Sequence, residues 1–174
     1  SSLPPLKRSL NLCASSKRVM DKLMKIKMDE TNKAILRQLI DGRKPFSAIA
    51  DELNVTENTV RSRVNKLIDE EVLQISGLIR AEMIPGLQVV FMGVKLSTLD
   101  LERKAREFCT LRGVISSVVV TGRYDLLVQL VLSEEEDLSL LDFFKEELSK
   151  MSEVLEVETF VVYQSENYRI PYVL

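Results

Sequence analysis

The stretch TENTVRSRVNKLIDEEVLQI, residues 56–75, decides the architecture of this chain. Its first residue, Thr56, is of a type that accepts a hydrogen bond from the first turn of a helix, and Glu57 places negative charge at the positive end of the helix dipole. Apolar residues then recur at helical spacing: Val60, Val64, Leu67 and Ile68. The pattern predicts an amphipathic helix that packs through this single stripe.

The other side of the same helix carries amides, hydroxyls and cations. Its members are Asn58, Thr59, Arg61, Ser62, Arg63, Asn65 and Lys66. Asparagine can pair bidentately with adenine, and arginine can pair with guanine or hold a phosphate. These side chains are therefore candidate contacts to double-stranded DNA. The alternative is a solvated amphipathic helix with no ligand.

Two shorter helices are predicted before this one. Asp29 opens a helix over 30–41, and a second covers 48–53. The first helix has an apolar face made by Ile35, Leu36, Leu39 and Ile40. Only Asn54-Val55 separates the second helix from the Thr56 helix. Three short amphipathic helices with a tight turn before the last are the helix-turn-helix plan, in which the first two brace the third.

The second half of the chain is predicted to alternate strands with helices, unlike the all-helical first half. The predicted elements are a strand over 88–97, a helix over 100–112, strands over 114–121 and 124–132, a helix over 134–151 and a strand over 153–163. The order β-α-β-β-α-β is the ferredoxin-like plan, an antiparallel sheet with both helices on one face. The predicted fold class is α+β, a three-helix helix-turn-helix domain followed by a ferredoxin-like domain.

The predicted sheet is apolar on both faces, although two helices cover only one. Monomeric proteins seldom expose so large an apolar face. A second copy of the chain is the expected cover, because two-fold dimers dominate among homo-oligomers. The alternative is that the N-terminal segment or the tail from Tyr168 to Leu174 folds back over the sheet. The same strands thus predict self-association through the sheet.

The distribution of charge and the positions of turn residues divide the chain into four predicted segments. Residues 1–27 form a basic extension of net charge +6, either an addition foreign to the natural protein or a native arm for DNA phosphates. Residues 28–73 form a winged-type helix-turn-helix DNA-binding domain and 74–86 a β linker. Residues 87–174 form the ligand-binding and oligomerisation domain. Because residues 81–174 carry a net charge of −7, nucleic-acid contacts are expected in the N-terminal half only.

Composition excludes several kinds of chemistry. The chain contains no histidine, so histidine-based acid–base catalysis and histidine-ligated metal sites are excluded. We expect no enzymatic activity, no cofactor and no metal. The two cysteines, Cys13 and Cys109, lie far apart and are expected to be reduced thiols in a cytoplasmic protein. No apolar run reaches the roughly 20 residues of a membrane span, and no membrane partner is expected.

Three motifs together resemble the Lrp/AsnC family of transcriptional regulators. They are DETNKAIL at 29–36, LNVTENTVRSRVNKL at 53–67 and VVVTGRYDLLV at 118–128. The resemblance implies a homodimer that assembles to a tetramer or octamer on promoter DNA. It also implies an amino-acid effector bound between subunits, near the turn at 121–125. By match to the family pattern, the effector-binding residues are Gly122, Tyr124, Asp125 and, more weakly, Thr159.

The chemistry of the effector is compatible with this turn. Asp125 could pair with an ammonium group, while turn N–H groups and Arg123 could hold a carboxylate. The alternative is that Gly122 serves the backbone angles of a hairpin and that Asp125 caps it. A second interpretation of the whole chain is a small-molecule-binding oligomer whose helix-turn-helix serves assembly only.

Overall fold

A computed structural model describes residues 28–174. The expectations for residues 1–27 lie outside the described part. The chain divides into two compact units, which in the described range are residues 28–77 and 78–174. Each unit has its own core and is described by itself.

The first unit consists of three helices. They are α1 (Glu30–Gln38), α2 (Phe46–Leu53) and α3 (Glu57–Asp69). Asp29 caps α1 by accepting a hydrogen bond from the backbone N–H of Asn32 at 2.8 Å. Helix α1 is three residues shorter than predicted because Leu39 already ends it with ψ near 2°. Helix α2 starts two residues earlier than predicted, directly after Pro45, whose fixed φ suits a helix start.

The core of the first unit lies between the three helices. Ile35, Ile49, Ala50, Val60 and Val64 are buried together. Two members of the predicted apolar faces are instead exposed, Ile40 at 88% and Ile68 at 41%. Ile40 lies beyond the end of α1, so the helical periodicity that placed it inward no longer applies there.

The described part of the second unit contains six strands, two helices and a short 3₁₀ turn. The strands are β1 (Leu78–Ile79), β2 (Leu87–Leu96), β3 (Val114–Val119), β4 (Leu126–Ser133), β5 (Val154–Val161) and β6 (Ile170–Pro171). Helix α4 is Leu101–Phe108, and α5 begins at Leu140–Asp142, continuing as a π turn over Phe143–Glu147 and a 3₁₀ turn over Leu148–Lys150. A short 3₁₀ turn, Ala81–Met83, precedes β2.

The main sheet has the order β3-β4-β2-β5, and all its pairs are antiparallel. This arrangement confirms the predicted ferredoxin-like plan. One face packs on the helices, where Met92 of β2 and Val128 of β4 meet Phe108 of α4 and Phe143 of α5. We call the other side the open face.

The predicted last helix differs from the observed one. Residues 134–137, all acidic, form a turn before α5 instead of its first turn, and Asp137 adopts a positive φ of 50°. Ser139 provides the actual start of α5, because its side chain and that of Asp142 form a reciprocal capping box. The segment 74–86, predicted to be a β linker, contains only the short strand β1 and the 3₁₀ turn Ala81–Met83.

The C-terminal segment covers one end of the open face. Ile170 is fully buried against Val89 and Val131, and the ring of Tyr168 lies 6.1 Å from that of Phe91. Strand β6 pairs with β1. The alternative in which the tail folds back is therefore correct for this end. Towards the other end, Val118 and Phe160 remain 50% and 46% exposed.

A buried lysine was not anticipated from the sequence. The side chain of Lys104 in α4 is 1% exposed, and its ammonium lies 2.7 Å from Glu107 and 3.1 Å from Glu153. It also donates to the Ser152 hydroxyl at 3.1 Å. Cys109, at the end of α4, is disulfide-bonded, so the expectation of reduced thiols is wrong at this position.

Candidate nucleic-acid interface and effector turn

Helix α3 is held by a tight turn and a capped first turn. Asn54 ends α2 in the left-handed conformation, with φ 52° and ψ 45°, which reverses the chain within two residues. Asparagine tolerates this conformation better than most residues. Thr56 then caps α3, since its hydroxyl accepts a hydrogen bond from the Thr59 N–H at 3.2 Å. The predicted start of this helix is confirmed.

Burial through Val60, Val64 and Leu67 leaves one side of α3 in solvent. Five of the seven candidate DNA contacts lie along one open surface depression on that side: Asn58, Arg61, Ser62, Asn65 and Lys66. The same depression includes Asp69 and Glu70 at its far end. Polar and cationic groups are therefore concentrated on the first three turns, with acidic groups beyond them.

The Arg61 side chain is exposed to solvent, but two neighbouring groups fix its orientation. Its guanidinium lies 2.5 Å from the Glu57 carboxylate and 5.5 Å from the centre of the Phe46 ring at the start of α2. An exposed ion pair of this kind contributes about 0–1 kcal/mol, so a phosphate can compete for the guanidinium. Lys66 is held even more loosely, at 3.9 Å from Glu70.

Arg63 is placed differently from the other candidates. Its Nη1 donates to both carboxylate oxygens of Asp29, at 2.8 and 2.7 Å, and to the Asn32 side-chain oxygen at 2.9 Å. These groups belong to the first turn of α1 and its cap. Arg63 therefore ties α3 to α1. Thr59 is also occupied within the unit, because its hydroxyl lies 2.9 Å from that of Thr56.

The turn between β3 and β4 carries the candidate effector residues of the second unit. Gly122 has φ 119°, which disfavours any side chain there. Arg123 is largely exposed, reaches Glu156 and Glu158 of β5 at 3.5 and 3.3 Å, and lies 5.2 Å from the centre of the Tyr124 ring. The turn thus presents a loosely paired cation above an aromatic ring.

Tyr124 rests on the open face because Gly93 leaves room for it. A Cβ at position 93 would lie 2.6 Å from the Tyr124 ring. The ring also packs edge-on against Phe160, with centroids 6.4 Å apart. The Tyr124 hydroxyl is buried and has no hydrogen-bond partner among residues 28–174. This unpaired hydroxyl is a feature that sequence reasoning did not identify.

Asp125 is already satisfied within the chain. One carboxylate oxygen accepts from the Lys95 ammonium at 2.8 Å and the other from the Leu96 N–H at 2.8 Å. The hydrogen bond from Lys95, followed by that from Leu96, lowers the pKa of Asp125 below its usual value. Asp125 therefore anchors the turn to β2.

Thr159 is separated from the other effector candidates. It lies directly opposite Met92 across the β2–β5 pair, and Met92 faces the helices. Tyr124 lies on the open face, where Glu158 is the β5 residue opposite Gly93. The structure thus brings Gly122, Tyr124 and Asp125 into one turn but leaves Thr159 on the other side of the sheet. Glu158, which was not predicted, is the β5 side chain nearest the turn's cation.

Two absences hold for the described part of the chain. Within residues 28–174, no group of three or more metal-binding side chains is placed to hold an ion. No helix in the same range is long and apolar enough to cross a bilayer.

Comparison with known proteins agrees with both units. Residues 28–68 match the model of the AsnC-type helix-turn-helix domain, and residues 89–170 match that of the Lrp/AsnC ligand binding domain. An uncharacterised HTH-type transcriptional regulator of Pyrococcus abyssi is 31% identical over 140 residues, covering 79% of this chain and 87% of the relative.

Solved structures share the fold at lower identity. AsnC of Escherichia coli matches with a TM-score of 0.64 at 18% identity, covering 83% of this chain and 97% of that one. A transcriptional regulator of Neisseria meningitidis, solved as an L-Met complex, matches with a TM-score of 0.64 at 19% identity, covering 85% and 96%.

A helix-turn-helix unit followed by a ferredoxin-like ligand-binding domain defines a class of HTH-type transcriptional regulators. The chain belongs to the Lrp/AsnC family of that class.

Proposed function

We propose that the chain is a sequence-specific DNA-binding regulator that works as an oligomer and responds to an amino acid. The observation that carries DNA binding is the exposed side of α3. There, Asn58 and Asn65 offer base-pairing amides, while Arg61 and Lys66 offer cations that are only loosely paired. We assign the direct contacts to these four residues with Ser62, and a bracing role to Arg63.

Affinity per subunit is expected to be modest. Asp69 and Glu70 share the depression with the cationic groups, and the described part of the first unit is not basic overall. Because phosphate neutralisation supplies much of the affinity for DNA, one copy of α3 holds a duplex weakly. Assembly of several copies on one duplex compensates by raising the effective concentration of each helix.

The double variant Asn58→Ala/Asn65→Ala tests the base-reading role. We expect affinity for the protein's own upstream DNA to fall roughly tenfold or more, with little change for a random duplex, because lost base contacts cost about 1–3 kcal/mol each. Fluorescence anisotropy with both duplexes at fixed salt measures this ratio. Lys150→Ala, an exposed lysine in the second unit, is the control. An unchanged ratio would remove the amides from sequence reading.

The same titration addresses the alternative function. If the unaltered chain binds neither duplex at low salt, the helix-turn-helix serves assembly and the protein is a ligand-binding oligomer. If it binds both duplexes with a steep salt dependence, and its own upstream DNA more tightly, the DNA-binding proposal is supported, and the variants then identify the contacts.

Self-association is proposed through the uncovered part of the open face. Val118, Phe160 and the Tyr124 ring leave an apolar area that the C-terminal segment does not cover. A second copy presenting the same area would bury it and exclude water from it. Assembly of such dimers to a tetramer or octamer is the state we propose on DNA.

Phe160→Asp is expected to convert the oligomer to a monomer at micromolar concentration. A carboxylate forced into an apolar interface costs roughly 3 kcal/mol or more, which weakens the dimer about 100-fold. Sedimentation equilibrium measures the mass. Leu99→Asp, a fully exposed position in the loop before α4, is the control. A dimer of unchanged affinity in the Phe160 variant would place the interface elsewhere.

We further propose that an amino acid binds against the turn at 121–125. The Neisseria meningitidis relative was solved with L-Met, and this chain has a loosely paired Arg123 that can take a carboxylate. Since Asp125 is engaged by Lys95 and Leu96, we assign it to the support of the turn. Gly122 gives the ligand access to the backbone, and Tyr124 provides an aromatic wall. Thr159 contributes only where another subunit brings it near.

Gly93→Ala tests the effector proposal. The added Cβ would displace the Tyr124 ring, so we expect the response to an amino acid to weaken at least about tenfold, and sedimentation equilibrium checks that the variant still assembles. Thermal shift across the common amino acids identifies the ligand and its affinity. Gly42→Ala is the matched control, because its added Cβ would meet no described residue beyond its chain neighbours within 4 Å. Equal affinity in the Gly93 variant would exclude Tyr124 from the site.

A further inference from the structure

A cavity of about 250 Å³ lies in the second unit, away from the turn at 121–125. Three segments enclose it: the 3₁₀ turn after β1, the first residues of β2 and the chain following β5. Its β2 residue Val89 stands seven positions from Leu96, which binds Asp125. At about 3.3 Å per residue, this separation is roughly 20 Å. The cavity is therefore distinct from the proposed effector turn.

The lining combines an apolar floor with a few polar groups. The lining residues are Ala81, Glu82, Leu87, Gln88, Val89, Val162, Tyr163, Ser165 and Tyr168. Val89 is almost fully buried, and Leu87 and Val162 belong to the same apolar cluster. None of these lining residues carries a positive charge. The cavity can thus take an apolar group, and the only charged side chain in its lining is the carboxylate of Glu82.

Glu82 is held in a defined position. Its Oε1 accepts from Arg80 Nε and Nη2 at 3.2 and 2.8 Å, and its Oε2 accepts from the Ser165 hydroxyl at 2.9 Å. These bonds, with Arg80 the largest cause and Ser165 the next, lower the pKa of Glu82. A carboxylate offers about four lone-pair positions, so the ionised group retains capacity for a further donor.

Two tyrosines complete the lining. The Tyr168 ring is fixed by its packing on Phe91 and by the hydrogen bond that its hydroxyl receives from the Gln129 amide. Tyr163 differs, because the residue is 97% exposed although it borders the cavity. An aromatic ring left wholly in water beside an apolar cavity is a surface that a ligand can cover.

We propose that this cavity binds a small organic ammonium ion, with the charged nitrogen near Glu82 and its carbon substituents among Tyr163, Tyr168 and Val89. Aromatic faces and a carboxylate attract such a cation, and the apolar floor excludes strongly hydrated inorganic ions. Anions find no free cation in the lining, because the adjacent Arg80 guanidinium is already paired with Glu82. A bound cation would connect the segment at 162–168 with residues 81–82.

Choline is the probe for the test, and isothermal titration calorimetry on the full chain is the measurement. We expect saturable binding that weakens roughly tenfold in Tyr163→Ala and in Glu82→Gln, as loss of one cation–π or charge contact implies. Tyr172→Ala, an exposed tyrosine outside the lining, is the control and keeps the affinity of the unaltered chain. Acetate, a small organic anion, gives no saturable heat.

Three results would overturn the proposal. They are no saturable heat with choline up to about 10 mM, equal affinity in Tyr163→Ala and the unaltered chain, and displacement of choline by acetate. Loss of the Arg80–Glu82 contact can unsettle the fold in Glu82→Gln, so its thermal midpoint is measured first. Tyr163→Ala removes an exposed ring and retains the fold, so it decides the outcome by itself.

Discussion

Replacing Arg63 with alanine is expected to weaken DNA binding without changing its dependence on salt. The guanidinium of Arg63 is bound to Asp29 and Asn32 and so holds α3 against the start of α1. Its loss leaves the exposed side of α3 chemically intact but less firmly oriented. Binding to specific and random duplexes should both decline, since every contact made by the helix depends on its orientation.

The same variant should also reduce stability. Hydrogen bonds to charged groups contribute about 1.5–3 kcal/mol, and pairs that are about one third exposed fall at or below the lower end of that range. Arg63 and Asp29 are 34% and 36% exposed, so we expect a loss of about 1–2 kcal/mol in the first unit. Arg63→Lys should recover only part of it, because an ammonium cannot reproduce the planar guanidinium. Thermal unfolding followed by circular dichroism measures both variants.

Arg61→Ala provides the matched comparison. Arg61 is exposed, and its ion-pair partner Glu57 lies within its own helix. If Arg61 contacts a phosphate, its removal lowers the slope of log affinity against log salt by about 0.9, while stability hardly changes. Arg63→Ala should therefore lower stability without changing the salt slope, whereas Arg61→Ala should lower the salt slope without changing stability. A reduced salt slope for Arg63→Ala, with unchanged stability, would show that Arg63 contacts DNA directly.

The parts of the fold that depend on neighbouring residues could be predicted from sequence. Thr56 caps α3 through a group three residues away, and the alternation of β2 and β4 determines which side chains face the helices. The predicted end of α1 and the predicted start of α5 were wrong because neighbouring residues carry competing local signals. Ser139 makes a complete capping box, and that decides where α5 begins, whereas residues 134–137 only satisfy the general preference for acidic residues in a first turn.

The parts of the candidate sites that depend on distant residues could not be predicted. Arg63 meets Asp29 across 34 positions, and Asp125 meets Lys95 across 30. In both cases the sequence predicted that a side chain binds a ligand, whereas the fold already pairs that side chain with another residue of the chain. The need for glycine at 93 is a partial exception. A glycine inside an apolar strand indicates the close approach of another group, although not that the group is Tyr124.

The largest stability effect is expected at Lys104, where removing the acidic partners should cost more than removing the lysine. Lys104→Met replaces a buried stem with one of similar shape and leaves Glu107 and Glu153 paired with Arg103 at 2.5 and 2.7 Å. Both acids are more than one third exposed and remain hydrated. We expect the thermal midpoint of the second unit to fall by only a few degrees, roughly 5 °C or less.

The double variant Glu107→Gln/Glu153→Gln leaves the buried Lys104 ammonium without a counter-ion. A buried charge that loses its partner is strongly destabilising because the low-dielectric surroundings cannot replace it. We expect the thermal midpoint to fall by roughly 10 °C or more, measured by differential scanning calorimetry at pH 7. Glu102→Gln/Glu146→Gln is the control, since both of these acids are exposed on the helices of the same unit.

The stability lost in the double glutamine variant should decrease as the pH is lowered. Lys104, followed by Arg103, lowers the pKa of Glu107, while Arg103 and then Lys104 lower the pKa of Glu153. A depressed carboxylate pKa gives stability that is present above the ordinary value of 4.5 and is lost as the pH falls through the lowered one. The gap between the unaltered chain and the double glutamine variant should therefore narrow as the pH falls below 4.5 and through the lowered pKa values. If Lys104→Met were the more damaging change at pH 7, the packing of the lysine stem would outweigh its charge, and the gap at low pH would persist.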